Sequence, residues 1–359
     1  MKTAMPSKET LASFEKELET LRLETRAKLG KTDEQYIKRV ILVQRLTEVS
    51  ARALLQFGIF PPFWLVGTGL LGISKILDNM EIGHNVMHGQ YDWMNDPTIH
   101  SSNFEWDTAC DGHSWRRTHN YEHHTYTNIL GKDRDYGYGV IRLDEDMPFR
   151  NEDYFNIFKL AMLQIFFQWG VAVHELEADK IRDKEISIKD KIPFLKQFAK
   201  KGFRQVFKDY MFFPALGLFT GSTIPILLGN ATANLIRNLW ASTVIFCGHF
   251  PEGSYTFSEE ECENESKGQW YYRQILGSCN FEGGKIMHIM SGHLSYQVEH
   301  HLFPDIPSTR YPEMSKKVRE ICKKHNIPYN TAPLHEQYFS VIKKVLKHSV
   351  PSKNKVAVA

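Results

Sequence analysis

The chain has 359 residues, of which 42% are hydrophobic, 24% charged and 13% aromatic. The aromatic content excludes a disordered chain, and a formal net charge of +2 excludes a strongly basic nucleic-acid binder on bulk charge. Five cysteines without a CxxC pair argue against a disulfide framework or a zinc ribbon, whereas 16 histidines, eight of them in tight groups, are the outstanding feature.

Residues 1–40 space their apolar side chains thinly among charges and offer no apolar signal-peptide core, so they read as solvent-exposed helices that begin in the cytosol. Apolar character rises from Val40. The segment 41–60 carries Arg45, Glu48 and Arg52, and an arginine at the centre of a span costs roughly 2.5–3.5 kcal/mol on insertion scales. Pro61-Pro62 breaks the helix, and 63–83 follows with Lys75 as the charge within its apolar run. The pair reads as a membrane hairpin bent near Pro61, with two buried core helices as the alternative. Gly67-Thr-Gly69-Leu-Leu-Gly72 matches GxGxxG but lies inside an apolar helical run. Small residues there suit close helix packing better than a dinucleotide fingerprint, which requires a preceding strand.

Histidines then come in groups: His84 and His88 directly after the hairpin, and His119, His123 and His124 further on. Residues four apart share a helix face, so each i,i+4 pair can converge on one ion. Adjacent histidines diverge by about 100° and can serve two ions, or one ion from two sides. Apolar stretch 155–173 is interrupted by Lys159, Gln164 and Gln168. Residues 180–208 hold ten Lys/Arg against three acids, the pattern of an amphipathic helix on an anionic membrane surface. Segments 211–229 and 231–249 form a second hairpin about Gly229-Asn230, ending on His249. The acidic stretch 254–269 reads as an exposed loop. The third group is Gln297, His300 and His301, preceded by His293, and the tail 349–359 reads as flexible.

Imidazole nitrogen suits Fe, Zn, Cu and Ni, and eight to ten such ligands exceed what one ion accepts. Two ions are expected, with Asp78, Glu81, Glu122, Asp133, Asp135 and Glu299 as candidates to orient the rings through the other nitrogen. His174, His325, His335 and His348 read as surface residues, and His100, His113 and His288 as structural neighbours of the groups. A shared site requires all three groups on one side of the membrane, so an even number of crossings separates the second from the third. The polar-interrupted stretch 155–173 is then an interfacial or substrate-covering helix.

The stretches GHNVMHGQYDWMNDP, HNYEHHTYTN and GHLSYQVEHHLFPDIPSTRYP resemble the three histidine boxes of the membrane-bound fatty acid desaturase family, and most closely its bacterial acyl-CoA Δ9 (stearoyl-CoA type) members. The resemblance implies an all-α integral membrane protein with four spans (41–60, 63–83, 211–229, 231–249) in a domain over 41–348, and a cytosolic helical cap. Two iron ions would be held by His84, His88, His119, His123, His124, His249, His300 and His301, with Gln297 and His293 as further candidates. It implies O2 as co-substrate, and electrons from NAD(P)H through a separate reductase or ferredoxin, since the HPGG of a fused cytochrome b5 domain is absent. The substrate would be a saturated C16–C18 acyl-CoA or an acyl-lipid, desaturated at the bacterial cytoplasmic membrane with the active site facing the cytosol and membrane lipid as neighbour. Gln297 is also typical of front-end Δ5/Δ6 desaturases. A hydroxylase on the same scaffold and a membrane metal transporter are the other readings. Trp93, Trp106 and Trp115, between the boxes, are candidates to line an acyl tunnel.

Overall fold

A computed structural model describes residues 5–351; residues 1–4 and the part of the tail from 352 onward lie outside the described residues. The chain is mostly helical, with one two-stranded parallel ladder of β1 (Asn280–Glu282) and β2 (Thr331–Pro333).

Helix α1 (Lys8–Arg26) opens on Ser7, whose hydroxyl accepts from the Thr10 amide. Its Leu11, Phe14, Leu18 and Leu21 recur every three or four residues and are buried in the cap core. The expectation of a solvent-exposed first helix is therefore corrected: one face is charged, but the spaced apolar residues make a stripe that docks. Helix α2 (Lys31–Leu55) begins ten residues ahead of the predicted span, its start fixed by Asp33 accepting from the Gly30 amide at 3.0 Å.

Helix α3 (Pro61–Ile76) begins at the prolines and packs back on α2. A Cβ on Gly67 would stand 3.1 Å from the Ala51 carbonyl, and one on Gly72 would stand 3.1 Å from Ile236. The glycines of the GxGxxG string thus admit neighbouring helices, as helix packing rather than nucleotide binding requires.

The stretch 155–173 forms α4 (Asn156–Ile165) and α5 (Phe167–Val173). Among the described residues no single helix is long and apolar enough to cross a membrane. The segment Asn151–Ile165 with Phe167–Leu176 has the composition but bends by 95°. Helix α6 (Ile192–Phe207) continues through a π-helical turn, Lys208–Phe212, into Phe213–Leu216. Helix α7 then runs unbroken from Thr223 to His249. The bend expected at Gly229-Asn230 is therefore displaced to 217–222, where Gly221 takes a φ of 72°. Gly229 is a packing glycine, its absent Cβ making room for Leu55 at 2.9 Å, and Asn230 donates to the Asp209 carbonyl at 2.6 Å.

Charges within these helices turn inward. Lys75 meets Asp209 at 2.8 Å with both side chains buried, Arg52 pairs with Glu48 and lies 3.5 Å over the Phe213 ring, and Arg237 reaches Gln168 at 2.6 Å. Outward faces carry exposed Leu46, Val49, Leu65, Leu218, Phe219 and Leu228. The cap comprises α1, α8 (Lys267–Leu276), α9 (Gln297–Leu302), α10 (Tyr311–Lys324) and α11 (Leu334–Lys347). The predicted acidic loop is exposed at Glu259–Glu261 but anchored by buried Phe257, which bridges to Ile129.

Candidate metal centre

Two of the histidine groups sit on widened helix. The π-helical turns Leu77–His84 and Arg116–His123 carry the first ligands of the first two groups, the kind of helical irregularity often found at functional sites. His84 and His88 bring their ring centroids to 4.6 Å, and His119 and His123 stack at 5.0 Å. His249 ends α7, and α9 supplies Gln297, His300 and His301.

The eight histidines converge. Ligand atoms of His84, His88, His119 and His300 lie within 4.8 Å of one another, as do those of His123, His249 and His301, and those of His124, His300 and His301. Adjacent His123 and His124 fall in different groups, while His300 and His301 each serve two. All eight are buried except His119, which is partly so.

The hydrogen bonds fix which nitrogen faces inward. Carboxylates and carbonyl oxygens only accept, so Nδ1 carries the proton wherever it meets one. His119 Nδ1 donates to Asp135 at 2.7 Å, His123 Nδ1 to Asp133 at 2.9 Å, and His84 Nδ1 to Asn85 Oδ1 at 3.2 Å. His249 Nδ1 donates to the Gly277 carbonyl at 3.1 Å and His301 Nδ1 to Gln274 Oε1 at 2.9 Å. Tyr311 donates its own proton to the Phe303 carbonyl and offers only lone pairs to His300 Nδ1 at 3.5 Å. The Nε2 atoms of these rings therefore carry the lone pairs, and that of His249 accepts from the Gln297 amide at 2.8 Å. Those of His88, His119 and His300, both nitrogens of His124 and Gln297 Oε1 are buried without a hydrogen-bond partner. His249 and His301 face each other Nε2 to Nε2 at 3.0 Å. Lone pairs crowded in this way require something cationic between them, so the donor set fits metal ions that accept neutral imidazole.

Electrostatics agree. Burial and the neighbouring imidazoles hold His88, His124, His300 and His301 well below the usual histidine range, and His84 is pushed down to about 3. His123 is the exception: burial pulls it down, but the Asp133 carboxylate more than reverses this. Against the opposing effect of burial, hydrogen bonds from His119 and His174 hold Asp135 well below the carboxylate range.

Of the six carboxylates singled out in the sequence, Asp133 and Asp135 orient cluster histidines, and Glu81 holds His293 at 2.9 Å. Asp78 accepts from the Asp107 amide, Glu122 pairs with Arg117, and Glu299 takes Asn280 and Tyr329. His293 joins none of the groups. It adopts φ 56° ahead of a short 3-10 turn, so it does not share a helix face with Gln297. Gln297 lies beside His249, its amide nitrogen 2.8 Å from Nε2. Sequence reasoning missed His174, which is buried with Nε2 3.1 Å from Asp135, and also Gln274 and Tyr311. His348 is likewise buried and His325 pairs with Glu17 at 2.7 Å, so of the four presumed surface histidines only His335 is exposed. A lone histidine gives no spacing signal that could have separated these cases. His100, His113 and His288 lie outside every group.

From the cluster a cavity extends along α7 past Ile245 to Asn238 and Arg237. Trp106 and Trp115 line it near the histidines, and Phe167, Gln168, Val171 and His174 of the bent segment cover it. Trp93 is not among its walls. Trp115 stacks on His119 at 4.6 Å.

Comparison with known proteins places this geometry. Residues 60–333 match the profile of the fatty acid desaturase family. The chain is 47% identical over 339 residues to the NADPH-dependent stearoyl-CoA 9-desaturase of Mycobacterium tuberculosis, covering 94% of this chain and 79% of that one. It is 27% identical over 310 residues to the sn-1 linoleoyl-lipid 6-desaturase of Synechocystis sp., covering 83% of each. The Delta(5) fatty acid desaturase A of Dictyostelium discoideum is 25% identical over 73% of this chain and 58% of its own.

Proposed function

Because the chain belongs to the fatty acid desaturase family, and is therefore an oxidoreductase of lipid metabolism, we propose that it introduces a cis-Δ9 double bond into a saturated C16–C18 acyl-CoA. The observation that carries the reading is the convergence of eight histidines, with Nε2 of His88, His119 and His300 and both nitrogens of His124 buried without a partner. The CoA thioester and the Δ9 position rest on the activity of the relative at 47% identity.

Two iron ions, when bound, supply the oxidising power that O2 chemistry needs to remove hydrogen from an unactivated methylene, with two further electrons from NAD(P)H through a separate reductase or ferredoxin. His84, His88, His119 and His300 would hold one ion, and His123, His249 and His301 the other, with His124 between the two groups. Asp133, Asp135, Gln274, Tyr311 and the Gly277 carbonyl would set the tautomers of His123, His119, His301, His300 and His249 so that Nε2 faces the ions. Burial favours the neutral, ligating form of every ring but His123. Gln297 is a weaker candidate ligand through Oε1. The protein's other task is positioning: the cavity beside His123, His249 and Gln297 can lay a methylene pair next to the cluster and exclude water, with Trp106 and Trp115 as its walls.

We read the paired helices 41–60 with 63–83, and 192–216 with 223–249, as two hairpins in the cytoplasmic membrane. The inward turn of Arg52, Lys75 and Arg237 and the outward band of exposed leucines, valines and phenylalanines support this, because a buried charge in a span is tolerated only when it faces the bundle. The bent segment 151–176 would then lie at the interface and cover the acyl chain, and the histidine cluster would face the cytosol.

Gln297 and the similarity to a lipid 6-desaturase favour a second reading, a front-end enzyme. One experiment separates them. The chain is expressed in a host unable to desaturate, fed palmitate or stearate, and double bonds are located by mass spectrometry of dimethyl disulfide adducts. New cis-Δ9 chains from saturated feed are expected. Unsaturation only in already unsaturated chains, on the carboxyl side of the existing bond, would replace this reading with the front-end one.

A further inference from the structure

Arg237 is 1% exposed and lies on α7 twelve residues before His249, about 18 Å along the helix axis. It forms part of the inner end of the cavity that begins at the histidines. Its guanidinium is held by neutral amides: Nε donates to Asn238 at 3.0 Å, and Nη2 donates to Gln168 at 2.6 Å and to Asn234 at 3.3 Å. Asn238 is itself fixed by donating to the Ile165 carbonyl at 2.8 Å. Among the described residues no carboxylate lies within ion-pair distance of Arg237. The nearby acids are engaged elsewhere, Asp209 with Lys75 at 2.8 Å and Asp107 with Lys208. Within the described residues Nη1 makes no hydrogen bond.

A buried cation whose nearest acids, Asp107, Asp209 and Asp78, act only from beyond contact distance, and which keeps an idle donor, gains most from an acceptor that carries negative charge. The approach to it is lined by Phe167, Val171 and Ile245, so the acceptor must arrive on an apolar chain. The acyl tail of a CoA thioester cannot satisfy this, because it ends in a methyl. We propose that Arg237 anchors a second ligand, the carboxylate of an unesterified long-chain fatty acid, whose alkyl chain lies along these walls toward the histidine cluster. A carboxylate oxygen can accept a charge-assisted hydrogen bond from the idle Nη1. If the desaturase reading also holds, on which this consequence alone rests, the free acid occupies the space of the acyl tail and inhibits desaturation competitively.

The test uses the full-length protein in detergent micelles with palmitate, methyl palmitate and hexadecane at equal mole fraction, read by thermal shift and by displacement of radiolabelled palmitate. Palmitate should bind at least about tenfold more tightly than methyl palmitate. Arg237→Gln should abolish that preference, and Arg237→Lys should retain part of it. Equal binding of palmitate and its methyl ester to the unaltered protein would overturn the proposal without recourse to any variant. Desaturation of acyl-CoA by the unaltered protein is measured separately, so an unaltered protein that desaturates but shows no palmitate preference rejects the anchor alone.

Discussion

One carboxylate behind an imidazole decides which nitrogen faces the metal, and here Asp133 and Asp135 do this for His123 and His119. Asp133 also accepts from the backbone amides of Asn128 and Asp135, so its own position is fixed by the chain. Asp133→Asn keeps the shape but removes an obligate acceptor, letting the ring flip or lose its tautomer. Iron affinity, measured by chelator competition, should fall about 10- to 100-fold, whereas exposed His335→Ala should leave it unchanged. At this scale the ligands were legible because i,i+4 and adjacent spacings are improbable without a shared target. Their supports were less so. Asp133 and Asp135 could be named only among six candidates, and Gln274, Tyr311 and His174 reach the site from distant parts of the chain. His293 shows the opposite failure: its four-residue offset from Gln297 has meaning only on a helix, and its backbone is left-handed there.

Helix α7 joins the cavity to the cluster and meets α9 where Gly248 faces Gln297. A Cβ on Gly248 would stand 2.9 Å from the Gln297 side chain. Gly248→Ala therefore forces Gln297 away from His249 or shifts α9 with its two histidines. Overpacking of this kind costs about 1–3 kcal/mol, and the thermal transition should fall accordingly while iron content drops. A variant with unaltered stability and iron content would show that the contact is slack. The first hairpin was readable because Pro61-Pro62 is an unambiguous break. The second was displaced because Gly229-Asn230 has the composition of a turn but serves packing, and only the partner helix makes that visible. Nor does local sequence announce π-helical turns, since they arise where side chains must be aimed at a common point.

At the scale of the molecule, the proposed membrane topology rests on parity: three histidine groups that build one site would have to lie on one side of the membrane. Reporter fusions at Asp179 and Ser349 should both report the cytosol, and a periplasmic signal from either would mean that the number of crossings is odd. The docking of α1 into the cap was not legible, because α1 has the charge content of an exposed helix and its apolar stripe finds its partners in α8 and α10. The two-ion proposal starts from the histidine count, and everything proposed about the reaction depends on it. The most direct test is the metal content of purified, active protein by elemental analysis together with Mössbauer spectroscopy. Two irons per chain in a coupled pair are expected, lost along with activity in His123→Ala and His300→Ala. An active enzyme holding a single iron, or zinc alone, would contradict the account.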